Sequence, residues 1–484
     1  MKQYAHTNIE KFYNKEYFIS RILQNEIFCH HNANHLDQEC GFQVPPQILH
    51  LDRQDLFHVK NTFAKLLFFT KNSIPLCIKK MTQMEKLFER HDNYLADVPM
   101  GYVREIAGNI DWNSRLIAIK GPKGVGKSTI MLQHIKNNFA ADDRHVLYCS
   151  ADTSYFTTHT LAQTADRFVK IGGTHIFIDE IHKYKGWSSE IKEIYDAHKS
   201  LRIVISGSSL IRLNDGDTDL SRRIVPYLIP GLSFREYLLM EKGITIDSIR
   251  LDSLLESPNS FCSAVKEKCH PLEFFKDYLK KGYYPFYFES RNTYPIQVEN
   301  VIDYIINVEL TQQRGLEVGN TRKVKALLKV ISNAVPYEVD MQKLSKSIGI
   351  ERVTVLKYLK YLEEAKLIIR LFQNLDRVGD LQKPDKILLD NTNLMHILAD
   401  SSPVIGTLRE CFFCNQLISA GHKVEYGGIK TGDFRIDDSR VVEVGGADKD
   451  FSQVKDEPDA YVAADDIDSA IGKKIPLWAF GMLY

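Results

Sequence analysis

At 484 residues the chain is too long for one hydrophobic core, and length alone suggests about two to four domains. Lys+Arg and Asp+Glu both number 62, so no global field draws the chain toward nucleic acid, and any such contact has to come from a local patch. A hydrophobic content of 44% fits an ordinary globular protein, and eight irregularly spaced cysteines fit a reducing compartment with thiols as small core residues.

Residues 1–83 are the least legible part and read as an N-terminal extension of unknown role. Helical spacing occurs at Ile19 to Phe28 and at Leu56 to Phe69, separated by a polar stretch and Pro45-Pro46. Cys29, His30, His31, His35 and Cys40 match no standard zinc-finger spacing and read as a solvated loop. Met1–His6 holds no apolar signal region, and the most apolar run, Phe63 to Phe69, is far shorter than a membrane span. The expectation is a cytoplasmic protein without a membrane partner. An amphipathic helix begins at Met84.

From 84 to 240 strands alternate with helices, which predicts a mostly parallel sheet covered on both faces. Strands are expected at Leu116–Lys120, His145–Ser150, Thr174–Ile178 and Leu201–Ile205, with a fifth at Ile224–Ile229. The first runs into Gly121-Pro122-Lys123-Gly124-Val125-Gly126-Lys127-Ser128-Thr129 and then into a helix from Ile130 to Ile135. This order of strand, Gly-rich turn and helix is a phosphate-binding loop. The glycines let successive N–H groups converge on a diphosphate, and Lys127 supplies a point charge toward the outer phosphates. Ser128 is placed to hold Mg²⁺, and the positive helix end faces the same anion. The ligand called for is ATP with Mg²⁺.

The third strand ends in Ile176-Phe177-Ile178-Asp179-Glu180. Asp179, at the carboxyl edge of the sheet, can hold the metal's water shell, and Glu180 can polarise the attacking water. The fourth strand ends in Ser206-Gly207-Ser208-Ser209, where Ser206 can respond to the γ-phosphate. Arg222-Arg223 offers guanidinium groups toward transition-state charge, in cis or from a neighbouring subunit.

Together with these, Ile181-His182-Lys183, Trp187, Tyr195-Asp196 and Leu232-Ser233-Phe234-Arg235-Glu236-Tyr237 carry a resemblance. From about residue 84 to its end the chain resembles the prokaryotic AAA-like ATPases whose C-terminal part has a restriction-endonuclease-like fold. That family usually carries Gly-Arg where this chain has Arg222-Arg223, so the resemblance implies the arginine-finger role for Arg223 alone. It also implies a winged-helix region and an endonuclease-like C-terminal domain.

Residues 241 to about 320 read as helical, with Phe274–Lys281 and Val298–Leu310 the clearest amphipathic stretches and a loose basic cluster at Lys266, Lys268, Lys276, Lys280 and Lys281. From 323 to 375 the pattern is a helix-turn-helix unit. A helix at Val324–Val330 precedes one capped by Asp340 and stopped by Gly349. A third follows at Glu351–Ala365, then a strand at Leu367–Leu371. Lys357 and Lys360 on the third helix suit DNA phosphates, but Glu363 and Glu364 share that helix, so DNA and a protein partner both stay open.

The last hundred residues contain Lys386–Asp390, a helix around Leu408–Ala420, a hairpin through Val424–Tyr426, and strands near Gly432–Ile436 and Val441–Gly446. By the same resemblance Glu410, Asp433 and Glu443 occupy the family's acidic positions, whereas Gly445 stands where its lysine belongs. Only Lys449, from the following loop, offers a substitute. Cys411 and Cys414 read as core. The acidic run Asp448–Asp468 reads as solvated surface, and the apolar terminus from Ile475 to Tyr484 as a docked strand.

The expected architecture is α/β: an AAA-like P-loop ATPase domain at 84–240, a helical and winged-helix region at 241–375, and a degenerate endonuclease-like domain at 376–484. The expected activity is ATP hydrolysis driving a switch on the later domains. Its rivals are a nucleotide-gated DNA-binding regulator and an ATP-controlled nuclease. The partner and the oligomeric state stay open.

Overall fold

The computed structural model describes residues 84–484 apart from 212–219, 221, 334–336, 339, 376–378, 380 and 429–430. The chain divides into two units, Met1–Lys79 and Lys80–Tyr484. The helices and the cysteine–histidine stretch read before residue 84 lie outside the described residues.

The second unit opens with helix α1 (84–97), whose Met84, Leu87, Phe88, His91 and Leu95 are buried at helical spacing. A parallel sheet follows, built from β1 (Leu116–Gly121), β2 (Val146–Ser150), β3 (His175–Asp179), β4 (Arg202–Ser208) and β5 (Val225–Leu228) in the order β2-β3-β4-β1-β5. All five expected strands are present. Alternate residues enter two separate cores. Leu116, Ala118, Leu147, Ile176, Ile178, Ile203 and Ile205 pack on one face. Ile117, Ile119, Val146, Tyr148, Phe177 and Val204 pack on the other. This is why the strands read as unbroken apolar runs: the period of two is hidden when both faces are covered. Because β1, β3 and β4 are parallel neighbours, their carboxyl ends meet at one edge. That edge is where such sheets bind ligands.

The next part is helical. The expected stretch Val298–Leu310 is a helix, α9 (Tyr294–Tyr304), a π turn (Ile305–Glu309) and α10 (Leu310–Arg314). Farther on lie α11 (Thr321–Asn333), α12 (Met341–Ile348) and α13 (Arg352–Glu364). The punctuation read from sequence is realised here: the Asp340 carboxylate accepts from the Gln342 and Lys343 N–H groups, and Gly349 ends α12 at φ 67. Strands β6 (Tyr337–Glu338), β7 (Ile368–Leu371) and β8 (Lys386–Leu389) form a second sheet in the order β6-β8-β7. Since β8 pairs antiparallel with β7, the boundary expected at 375 falls inside this sheet.

A third sheet, β13-β12-β11-β10-β9, comprises β9 (Val424–Tyr426), β10 (Phe434–Ile436), β11 (Arg440–Gly445), β12 (Ala460–Ala464) and β13 (Lys474–Pro476). Strand β12, pairing parallel with β11, is wholly buried inside the stretch read as solvated acidic surface. Its five residues are too short a run to stand out among flanking carboxylates. The expected terminal strand ends at Pro476, and a buried 3₁₀ turn, Leu477–Met482, continues from it. Cys411 and Cys414 are buried free thiols, as core residues should be. One apolar core runs from Phe234 through the helical part to Met482, so these later elements are packed together.

Candidate functional site

The loop at 121–129 turns from β1 into helix α2 (Lys127–Asn138). Its last glycine, Gly126, sits at φ 91, ψ 23 as the helix N-cap, a conformation open to glycine without a Cβ penalty. The first turn of α2 carries no acidic residue and no side chain caps it, so nothing on the helix itself neutralises its positive end. Lys127 is buried and its ammonium donates to the carbonyls of Gly121 at 3.1 Å and Pro122 at 2.8 Å. Burial pushes its pKa below the ordinary value, opposed by the carboxylates of Glu180, Asp179 and Glu309. A buried cation held on the loop's own carbonyls is placed to exchange them for a phosphate.

Asp179 ends β3 beside this loop. The Tyr148 hydroxyl donates to Asp179 Oδ2 at 2.6 Å and also meets the Ser128 hydroxyl. Ser128 and Asp179, the two residues expected at Mg²⁺, therefore share one neighbour, and this pair of hard oxygen donors fits such an ion. Ser206 donates to Asp179 Oδ1, and its oxygen accepts from the Glu180 N–H at 3.2 Å. Glu180 occupies the left-handed region at φ 52, ψ 38, where a non-glycine residue is strained and must be held by its surroundings. Burial raises its carboxyl pKa, and Lys127 acts against the rise.

The sequence does not announce what covers this loop. A Cβ on Gly124 would come within 2.6 Å of the Phe286 ring, and one on Gly126 within 3.8 Å of Pro285. The Lys123 ammonium stands 4.2 Å from the centre of the Tyr304 ring, and Lys183 reaches the Tyr304 hydroxyl. The Ser208 hydroxyl donates to Glu309 Oε2 at 2.6 Å. Tyr148, Phe286, Tyr304 and Glu309 thus join the expected residues. Of these only Glu309, an acid inside an apolar helical stretch, carried a sequence signal.

Arg223 does not reach this edge. It precedes β5, which runs parallel to β1, and so stands at the amino edge of the sheet. The length of a six-residue strand, roughly 20 Å, separates it from the phosphate loop. Its Nε is 3.3 Å from Asp196 Oδ1, and its guanidinium lies over the Tyr195 ring. The finger role in cis is therefore corrected: parallel pairing of β5 puts the arginine at the far end.

Glu410, on the helix Ile405–Ser419, lies near Asp433 and Glu443 of the C-terminal sheet: burial raises its carboxyl pKa, and those two carboxylates add to the rise. Lys386 pairs with Glu410 at 2.5 Å, and Lys449 pairs with Glu443, its aliphatic chain filling the space beside Gly445. The Asp433 carboxylate accepts from the Val444 N–H at 2.9 Å. Among the described residues no group of three or more His, Cys, Asp or Glu is arranged to hold a metal ion. Of the loose basic cluster, Lys266 donates to Ser469, Lys268 to the Thr245 carbonyl, and Lys281 pairs with Asp277. Among the described residues no helix is long and apolar enough to cross a membrane.

Comparison with known proteins agrees with the first part of the chain. Residues 113–238 match the family described as AAA domain (AAA_14), and residues 272–403 match a domain of unknown function (DUF8612). The uncharacterized protein MJ1637 of Methanocaldococcus jannaschii is 24% identical over 287 residues, 56% of this chain and 60% of that protein. The chain thus spans less than two thirds of that relative's length. AMPPCP-bound DnaA from Aquifex aeolicus is 15% identical, with 54% of this chain and 86% of that chain covered at a TM-score of 0.21. PCH-2 of C. elegans is 14% identical, with 34% and 51% covered at a TM-score of 0.20. A katanin structure described for its self-assembly is 19% identical, with 29% and 51% covered at a TM-score of 0.21. The AAA domain match falls on the parallel sheet and its phosphate loop, so it is this part of the chain that is similar to AAA-type domains.

Proposed function

We propose that the chain binds ATP with Mg²⁺ on Gly121–Thr129 and hydrolyses it, and that turnover switches the docking of the helical and C-terminal parts. The observation that carries this reading is the convergence of Lys127, Asp179, Glu180 and Ser206 on one edge of the sheet. Ser128 and Asp179 would hold Mg²⁺, which supplies Lewis-acid stabilisation of phosphate charge. Glu180 orients water, and Ser206 links that residue's backbone to Asp179 so that both respond to the outer phosphate. Contacts of Phe286, Tyr304 and Glu309 with the loop and the tip of β4 support coupling, because these residues lie outside the ATPase module proposed at 84–240. Arg223 suits only the site of a neighbouring copy, which makes an oligomer part of this proposal.

The later parts are proposed as a winged-helix region, built on α11–α13 and the second sheet, and an endonuclease-like domain without nuclease activity. Lysines already neutralise two of its carboxylates. A DNA-binding alternative draws on exposed Lys357, while Glu363 and Glu364 are taken up by Arg370 and Arg314. Phosphate release by wild type, Lys127→Ala and Glu180→Gln, with and without duplex DNA, tests these readings. Glu180→Gln is expected to bind ATP and turn it over about 10²–10⁴-fold more slowly. Stimulation by DNA favours a nucleic-acid partner, and an unchanged rate favours a protein. Equal rates in wild type and Lys127→Ala would remove the ATPase reading.

A further inference from the structure

The imidazole of His182 is buried, and its Nε2 has no hydrogen-bond partner. A native structure does not keep such an atom without a reason. Glu180 Oε2 stands 3.4 Å from that nitrogen, close but too poorly aligned for a hydrogen bond. The other ring nitrogen, Nδ1, accepts from the Ser208 N–H at 3.4 Å, which leaves the proton on Nε2, facing Glu180. Burial lowers the ring's pKa to about 4, so it is neutral near pH 7.

The groups that brace the ring's partner Ser208 and the His182 backbone come from more than 100 positions away. Ser208 donates its hydroxyl to Glu309 Oε2, and Glu309 is 3% exposed at the end of the π turn. Gln313 of α10 donates to the His182 carbonyl at 3.1 Å. A Cβ at Gly207 would stand 3.2 Å from His182 Nδ1, so the missing side chain lets the ring lie against β4. The tip Ser206-Gly207-Ser208 is thus read residue by residue, by Asp179, His182 and Glu309 in turn. A π turn in an otherwise α-helical segment is a frequent mark of a functional position.

We infer that His182 is a positioning residue for Glu180, its Nε2–H holding the carboxylate that orients water, and that Glu309 fixes His182 through Ser208. The docked segment 294–314 is then a structural requirement for hydrolysis, and its release slows turnover without emptying the phosphate loop. Hydrogen bonds of this kind are often loose without substrate and tighten in the reacting complex. The inference rests on the ATPase reading above.

The test is steady-state phosphate release at saturating MgATP, with the thermal shift produced by ADP measured on every variant. His182→Ala is expected to lower kcat by about ten- to a hundred-fold, as loss of an orienting partner does, with the ADP shift retained. His182→Gln keeps an N–H near the position of Nε2 and is expected to recover most of the rate. Glu309→Gln is expected to lower kcat while leaving KM for ATP within about two-fold. The double variant Glu180→Gln/His182→Ala is expected to be no slower than Glu180→Gln alone, because both changes act on one group. An active wild type matched by His182→Ala in kcat, or losses that multiply in the double variant, would overturn the inference alone. A wild type no faster than Lys127→Ala would instead overturn the ATPase reading and this inference with it.

Discussion

Arg104 and Glu236, 132 positions apart, form a buried two-pronged ion pair, with Nε 2.8 Å from Oε1 and Nη2 2.7 Å from Oε2. The same guanidinium donates to the carbonyls of Val125, Pro230 and Gly231. Glu236 also closes a capping box with Ser233 at the start of helix α5 (Phe234–Lys242). The block Leu232–Tyr237 therefore ties the phosphate loop, through Arg104, to the helix where the later parts begin. Burial works against ionisation of Glu236, yet Arg104 holds its carboxyl below the ordinary value.

Glu236→Gln should leave a buried guanidinium without its counter-charge and lower stability by about 3–5 kcal/mol, read by denaturant unfolding. Because the folded-state pKa of Glu236 is depressed, this stability is present above the ordinary carboxylate range and is lost as the pH falls through it. The acid limb of the stability curve should accordingly be shallower in Glu236→Gln.

ATP at about a hundred times its Kd should stabilise the second unit by about 2.7 kcal/mol. Lys127→Ala should abolish most of the corresponding rise in Tm. A shift of wild-type size in Lys127→Ala would mean that nucleotide is bound elsewhere.

His91 is 1% exposed, and its Nδ1 accepts from the Tyr148 N–H at 2.9 Å. Burial lowers its pKa from 6.5 to about 4. The unfolded chain then takes up the proton first, so this contribution is complete above pH 6.5 and is lost as the pH falls toward 4. The slope is up to about 1.4 kcal/mol per pH unit. His91→Asn, which keeps an acceptor without a titrating ring, should flatten the change in Tm between pH 7 and pH 5.

Lys386 and Glu410 are both nearly buried and pair at 2.5 Å. Lys386→Met should destabilise the second unit by about 3–5 kcal/mol by stranding the carboxylate. Adding Glu410→Leu should restore most of that loss, since two apolar side chains of similar size suit the site. A double variant as unstable as the single one would refute the pairing.

Gly124→Ala meets two obstacles: a backbone at φ 86 and the Phe286 ring 2.6 Å from the new methyl. The expected destabilisation is about 1–3 kcal/mol. Gly124→Ala combined with Phe286→Ala should recover only the steric part, which a double-mutant cycle on Tm separates from the backbone strain.

The parallel sheet and its phosphate loop were legible because their signals are local. The strands β1, β3 and β4 are apolar runs whose residues pack on two faces, and the loop between β1 and α2 must have glycine where the backbone turns left-handed. Asp340 and Gly349 bracket α12 for equally local reasons. Legibility fell where context overrode local character. The acidic stretch around β12 hides a central strand, because five small and apolar residues carry too weak a period against their charged neighbours. The terminal run stops pairing after Pro476 and continues as a 3₁₀ turn packed on Phe234, a choice made by the available space.

The sequence by itself determined that a phosphate loop, an acidic strand end and a serine tip would share one edge, since spacing and chain direction dictate where parallel strands finish. Only the tertiary structure decided what that edge faces. It carried Arg223 to the opposite end through the parallel pairing of β5, and it brought Phe286, Tyr304 and Glu309 onto the loop and the tip of β4. The contact between Ser208 and Glu309 bridges 101 positions. No backbone period reaches so far: such pairs are chosen by how whole layers fill space and by the need of each buried polar group for a partner.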